Sequence, residues 1–219
     1  MKCMYSILLG SVMLLSACSK DRITGSGTIA TETRNTTAFN SVYVSGSNNF
    51  YISKGTSLNV EVNGYANLLP YFETNVINNE LRLGFRSNTN IRNDNIKVYL
   101  TMPDEIGFLN VQGSGNISTA GNFTNVNSID LLINGSGNID FEQGTAPKAT
   151  LIVTGSGNVN ALGLSAKEVA ATINGSGNTR VTTTEKLDAT ITGSGNIYYK
   201  GSPATVNTTI AGSGKVIKL

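Results

Sequence analysis

The 219-residue chain has no histidine and only two cysteines, Cys3 and Cys18. Without histidine the usual general base, the Ser-His-Asp arrangement and histidine-based metal sites are all excluded. Both cysteines lie in or beside an N-terminal apolar segment, so the rest of the chain has no disulfide and no thiolate chemistry. Excess charge is missing too. Removing residues 1–17 takes away Lys2 and leaves 15 basic against 14 acidic residues. That balance argues against nucleic acid, which demands a basic footprint. The apolar run from Ile7 to Leu15 is too short to span a bilayer stably. Stability must then come from apolar stacking and backbone ladders, for which the chain has 39% apolar residues and 24 glycines.

What the sequence does have is a repeat. Gly113-Ser114-Gly115-Asn116-Ile117 recurs nearly unchanged from Gly135, Gly155, Gly175 and Gly193, and Gly212-Ser213-Gly214-Lys215-Val216 replaces the Asn with Lys. Successive copies start at nearly even intervals, and a period near twenty signals a repeat architecture. Two positions before each first glycine stand Val111, Ile133, Val153, Ile173, Ile191 and Ile210; four before stand Leu109, Leu131, Leu151, Ala171, Ala189 and Thr208. The positions between lean polar, an alternation that marks half-buried strands. Apolar positions resume after the turn at Ile117, Ile139, Val159, Ile197 and Val216, with Thr179 in the same column. Each copy is strand, glycine turn, strand.

Two topologies use such units. In a meander, Asn134-Gly135 and Asn174-Gly175 would centre tight hairpins. The other copies lack that pair, however, and meanders turn at about half this interval. A parallel β-solenoid accounts for more: each unit is one coil, equivalent residues stack about 4.8 Å apart, and glycine serves the corner. Asn116, Asn138, Asn158, Asn178 and Asn196 would then form an amide ladder along that corner.

These GSGN units, preceded by Phe39-Asn40-Ser41-Val42-Tyr43-Val44-Ser45-Gly46, resemble the head GIN domain family over Phe39 to Leu219. The resemblance implies an all-β, right-handed parallel β-helix and an adhesin-like role at the bacterial envelope. Residues 39–219 are read as this domain, with regular repeats over 105–219. Residues 1–17 read as an export signal. Leu15-Ser16-Ala17-Cys18 resembles the bacterial lipobox, which implies that Cys18 carries acyl chains, palmitate among them, as the mature N-terminus; an ordinary secretory signal containing Cys18 is the alternative. More than one chain gives firm anchoring, and Ser19 after the cysteine implies the outer membrane, facing the periplasm or the cell surface. Residues 18–38 are the lipidated terminus and a tether or cap. Within them Gly25-Ser26-Gly27, between Ile23 and Ile29, fits the repeat columns as a degenerate first copy, and Gly46 marks a second. From Ser57 to Pro103 the strands continue irregularly, and the Leu68-Leu69-Pro70-Tyr71-Phe72 cluster is expected to cover the solenoid.

Chemistry is sparse. The turn serines read as small turn residues, and Asn where calcium-binding solenoids need carboxylates argues against calcium there; no metal and no cofactor is expected. Asp140 and Glu142, two apart on one strand, project to one side, with Glu168 or Asp188 as candidate neighbours on adjoining coils. A glycosidase needs two carboxyls at a defined separation, and a solvated acidic pair is the simpler expectation. Tyr43, Tyr51 and Tyr198 alternate with inward residues and face out, where they stack on sugars, anchor a protein contact or pack across strands. The chain reads as a non-catalytic envelope lipoprotein, an adhesin or glycan- or protein-binding module. A structural or envelope-stress component and a polysaccharide-active enzyme are the alternatives. Open solenoid ends permit end-to-end association without specifying it.

Overall fold

The computed structural model describes residues 22–103, 105–125 and 127–219. The export signal and Cys18 lie outside them. The described chain is about 70% strand with no α-helix, wound as a β-solenoid of about six turns whose parallel bridges join residues about 20 apart. The meander is excluded directly. Ser128–Gly135 pairs in parallel with Phe108–Gly113 on one side and Gln143–Gly155 on the other, not as a hairpin across Gly135.

The coil has three sides. The first flank is built from strands that run into the glycine corner: Ser41–Gly46, Phe108–Gly113, Ser128–Gly135 and the C-terminal parts of Gln143–Gly155, Asn158–Gly175 and Asn178–Gly193, ending in Thr205–Gly212. The second flank leaves the corner: Asn49–Lys54, Asn116–Ala120, Asn138–Asp140, the starts of Asn158–Gly175 and Asn178–Gly193, then Asn196–Lys200 and Lys215–Lys218. The third side closes the triangle, with Asn122–Thr124 paired to the start of Gln143–Gly155. The sequence columns are the core. Val111, Ile133, Val153, Ile173 and Ile191 stack in register and are all fully buried; each such side chain contributes about 1.5–3 kcal/mol.

The corner explains the glycines. The carbonyl of Gly113 accepts hydrogen bonds from the amides of both Ser136 (2.9 Å) and Gly137 (3.0 Å) of the next coil, and the pattern repeats at Gly135 and Gly155. Gly135 sits at φ 138°, in the region that favours glycine. A Cβ there would fall well inside contact distance of the Gly113 carbonyl below it, and one at Gly137 would strike the Gly115 carbonyl.

The N-terminal half departs from chain order. Ser41–Gly46 stacks directly on Phe108–Gly113, so Gly46 meets Gly113 although several strands intervene in the chain. Its other edge is taken by Glu80–Phe85, and Asn49–Lys54 is likewise sandwiched between Asn116–Ala120 and Lys97–Met102. The Gly46 copy is thus the second layer of the stack. Beyond it the pairing turns antiparallel: Phe72–Ile77 on Glu80–Phe85, Asn59–Tyr65 on Lys97–Met102, and Ile29–Thr33 outermost on Asn59–Tyr65. Antiparallel strands cannot propagate a parallel stack, so they cap it. The Leu68–Phe72 cluster forms a short 3-10 helix, Leu69–Tyr71, with Leu68, Leu69 and Phe72 buried as cover.

The Gly25 copy does not hold. Gly25-Ser26-Gly27 joins Arg22–Thr24, which pairs with Asn90–Arg92, to the cap strand Ile29–Thr33, and Ser26 N donates to Asn67 Oδ1 rather than to a glycine carbonyl below. Its glycines fit the column by spacing but have no coil to stack on.

Two stability outcomes follow. Gly155→Ala should lower unfolding free energy by about 3 kcal/mol or more, while Ser156→Ala in the same turn changes it by less than about 0.5 kcal/mol, both read from urea midpoints. Thr179 is fully buried between Val159 and Ile197, and its hydroxyl has no partner among the described residues. The isosteric Thr179→Val should raise stability by about 1 kcal/mol; a loss would mean that the hydroxyl is satisfied.

Candidate functional site

The second flank starts from the amide ladder. Asn116 Nδ2 donates to Asn49 Oδ1 (2.8 Å), Asn138 to Asn116 (2.8 Å), Asn158 to Asn138 (3.0 Å), Asn178 to Asn158 (3.0 Å) and Asn196 to Asn178 (3.2 Å). Asn49, from the divergent Gly46-Ser47-Asn48-Asn49 turn, extends the ladder by one rung. Lys215 ends it, giving only its backbone amide to Asn196 Oδ1 (3.1 Å). The ladder continues the corner's register into the second flank.

Two residues after the ladder, side chains point outward in one row: Tyr99, Tyr51, Ser118, Asp140, Asn160, Arg180, Tyr198 and Ile217, each in register with the next. At about 4.8 Å per strand the five steps from Tyr51 to Tyr198 span about 24 Å. Tyr51 stacks on Tyr99 with ring centres 5.2 Å apart and 16° between planes. Both are substantially exposed. The next strand offers only Ser118, so the second face of the Tyr51 ring is not covered by a large side chain in the row. Asn160 Nδ2 donates to Asp140 Oδ1 at 3.2 Å, and the Arg180 guanidinium lies 4.9 Å from the Tyr198 ring centre.

Beside Asp140 the surface dips into an open depression of about 400 Å³ lined by Thr119, Asp140, Phe141, Glu142, Asn160, Leu162 and Gly163. Asn138–Asp140 is short: Phe141 turns into the core and Glu142 reaches back, its carboxylate accepting from Gly121 N (2.8 Å). On the far wall the register slips between Ala161 and Ser165, so Leu162 and Gly163 bulge.

Glu168 and Asp188 do not join Asp140 and Glu142. They stand on the first flank in a charge ladder, Lys148 to Glu168 at 3.3 Å and Lys186 to Asp188 at 2.7 Å. The Lys186 hydrogen bond, helped by Asn207, holds the Asp188 carboxyl below its ordinary value, and Asp188 in turn raises Lys186. The Asp188 contribution is present above its unfolded value and is lost as pH falls through the folded one.

The three candidate tyrosines divide. Tyr51 and Tyr198 share the row; Tyr43 is on the first flank, beneath Arg82 at 5.5 Å. Tyr99 and Arg180 are the residues that sequence reasoning missed. Tyr99 alternates with Val98 and Leu100, which marks it as outward, but its place beside Tyr51 requires the out-of-order stacking.

Fold and flank together define a β-solenoid that displays side chains in straight rows on flat sides. The chain belongs to the head GIN domain family, whose model, described as "Putative auto-transporter adhesin, head GIN domain", matches residues 38–203. It is similar to the crystal structure of a "putative adhesin" from Bacteroides fragilis NCTC 9343, with 25% identity and a TM-score of 0.76 over 90% of this chain and 100% of that one. A "putative lipid binding protein" from Parabacteroides distasonis ATCC 8503 (26% identity, TM-score 0.55, 91% and 100% covered) is also similar. So is a "putative adhesin" from Parabacteroides merdae ATCC 43184 (25%, 0.52, 91% and 99%). No curated protein matches the chain. An adhesin family belongs to the cell envelope or surface, and among the described residues no helix is long and apolar enough to cross a membrane.

The ladder is open to test. Asn138→Ala strands Asn116 Oδ1 and Asn158 Nδ2, and should cost about 2 kcal/mol. Asn134→Ala, exposed in the same coil, should cost less than about 0.5 kcal/mol by the same denaturation measurement.

Proposed function

We propose that the protein is a non-catalytic adhesion module, held at the outer membrane by lipid on Cys18, that binds an extended neutral glycan along its second flank. The observation that carries this reading is the exposed Tyr51–Tyr99 pair, whose Tyr51 ring faces the small Ser118 and, one strand on, the Asp140–Asn160 pair. An aromatic face takes the C–H face of a pyranose, and a carboxylate and an amide beside it take hydroxyls. Strand spacing repeats these contacts along a line, as an extended chain requires. Asp140, two strands on from the Tyr51 ring, and Glu142 on the rim of the same depression disfavour anionic polysaccharides there by like-charge repulsion. Non-catalytic action is supported by the family description and by the engagement of both acids, Asp140 by Asn160 and Glu142 by the Gly121 amide.

Retention of the purified protein on arrays of neutral and acidic polysaccharides tests the reading. The wild type should be retained by neutral glycans, and Tyr51→Ala should weaken binding about tenfold, or about 1.4 kcal/mol. Tyr43→Ala, on the other flank, should leave it unchanged. No retention of the wild type would overturn the glycan ligand, and equal losses from both variants would overturn its place on the second flank. Cys18→Ser should abolish acyl labelling and release the protein from the membrane fraction.

A further inference from the structure

The two ends of the solenoid differ. The N-terminal end is closed by antiparallel strands and the Leu69–Tyr71 helix. The other end is the strand Thr205–Gly212 on the first flank and Lys215–Lys218 on the second. Thr205–Gly212 pairs with Asn178–Gly193 along one edge, and its other edge has no strand partner among the described residues. Every residue of it is exposed. Val206 and Ile210 occupy the inward columns in register with Leu187 and Ile191, yet they are 39% and 44% exposed where those two are fully buried. Thr205–Gly212 also carries no charge and no proline, and none of the bulges or lysines that normally keep edge strands apart.

We infer that this edge is an interface for a second copy of the same chain, joined end to end across a two-fold axis through Thr208. Such an axis runs Thr205–Gly212 antiparallel to its own copy. It sets Val206 opposite Ile210 of the partner subunit, twice over, and opposes the two Thr208 side chains, a favoured cross-strand pair. Because the axis points into the core, inward residues stay inward and the two apolar interiors become one. The outward residues Asn207 and Thr209 meet as a polar pair. The operation also lays Lys215–Lys218 over the partner's third side, residues 201–204, which are uncharged, so the lysines meet no like charge there. The contact is isologous: it uses the same edge of both copies and so closes at two. The capped ends and residue 22 then point in opposite directions, the arrangement of two molecules on facing surfaces. This inference stands on the open coil end and is independent of the glycan reading.

The test uses the full chain with Cys3→Ser and Cys18→Ser, which leaves no other thiol. Sedimentation equilibrium should show a monomer–dimer equilibrium. Thr208→Lys, opposing two ammonium groups on the axis, should abolish the dimer, while Ser118→Lys on the second flank should not. Thr208→Cys should be captured as a disulfide-linked dimer on mild oxidation, since directly opposed strand residues lie within disulfide reach. This guards against Thr208→Lys acting by misfolding. A monomer at all accessible concentrations would overturn the inference. So would a dimer that survives Thr208→Lys, or one that Thr208→Cys fails to cross-link.

Discussion

The structure depends on the backbone-to-backbone approach at the glycine corner. One carbonyl per coil accepts two amides from the coil above, and neither glycine has room for a Cβ. The hydrogen bonds at the corner lock each coil's azimuth to the one beneath it. With the azimuth fixed, equivalent residues superpose, the aliphatic columns become a continuous core and the asparagines come within reach of one another. The amide ladder is therefore a consequence of the corner as much as a support for it. Its rungs of 2.8–3.2 Å extend the same register into the second flank, where outward side chains form straight rows.

Much of this was legible in the sequence because the solenoid repeats one local solution. The β-branched column two before each glycine, the resumed apolar position after it and the asparagine between all report on contacts with the next copy. What was not legible are features set by pairing rather than by pattern. Nothing in Ser41–Gly46 announces that its neighbour is Phe108–Gly113, beyond all the cap strands in the chain, so Tyr99 could not be set beside Tyr51. Gly25-Ser26-Gly27 shows the converse: the right spacing without a coil below it makes a cap loop. The acids failed for a third reason. Asp140 and Glu168 lie on adjacent coils, but a coil has three sides, and sequence distance alone does not say which side a residue occupies once coil lengths differ.

Those length differences shape the surface. The step from Gly175 to Gly193 is shorter than the steps from Gly135 to Gly155 and from Gly155 to Gly175, yet the corner glycines and the first flank remain in register. The mismatch is absorbed between Ala161 and Glu168, where the pairing slips twice on the way round the third side. An inserted or deleted residue is tolerated there because that side has neither the asparagine ladder nor the doubly accepting glycine carbonyl of the corner to break. Leu162 and Gly163 bulge out as a result, and the depression beside Asp140 opens where the variable side meets the regular flank.

Inward and outward positions thus answer to different constraints. An inward residue must match those above and below it in bulk, and the two glycines of a corner stacked on another corner have no room for a Cβ, so both are held by the stack. An outward residue meets only its row neighbours and solvent. The row from Tyr99 to Tyr198 uses that freedom, placing a stacked aromatic pair, a serine, an acid–amide pair and a cation over an aromatic along strands whose inner faces are nearly interchangeable. Ligand preference in such a scaffold is set by a one-dimensional sequence of side chains read across coils. Recurrence at a spacing near twenty, rather than adjacency in the chain, is the property that brings those side chains together.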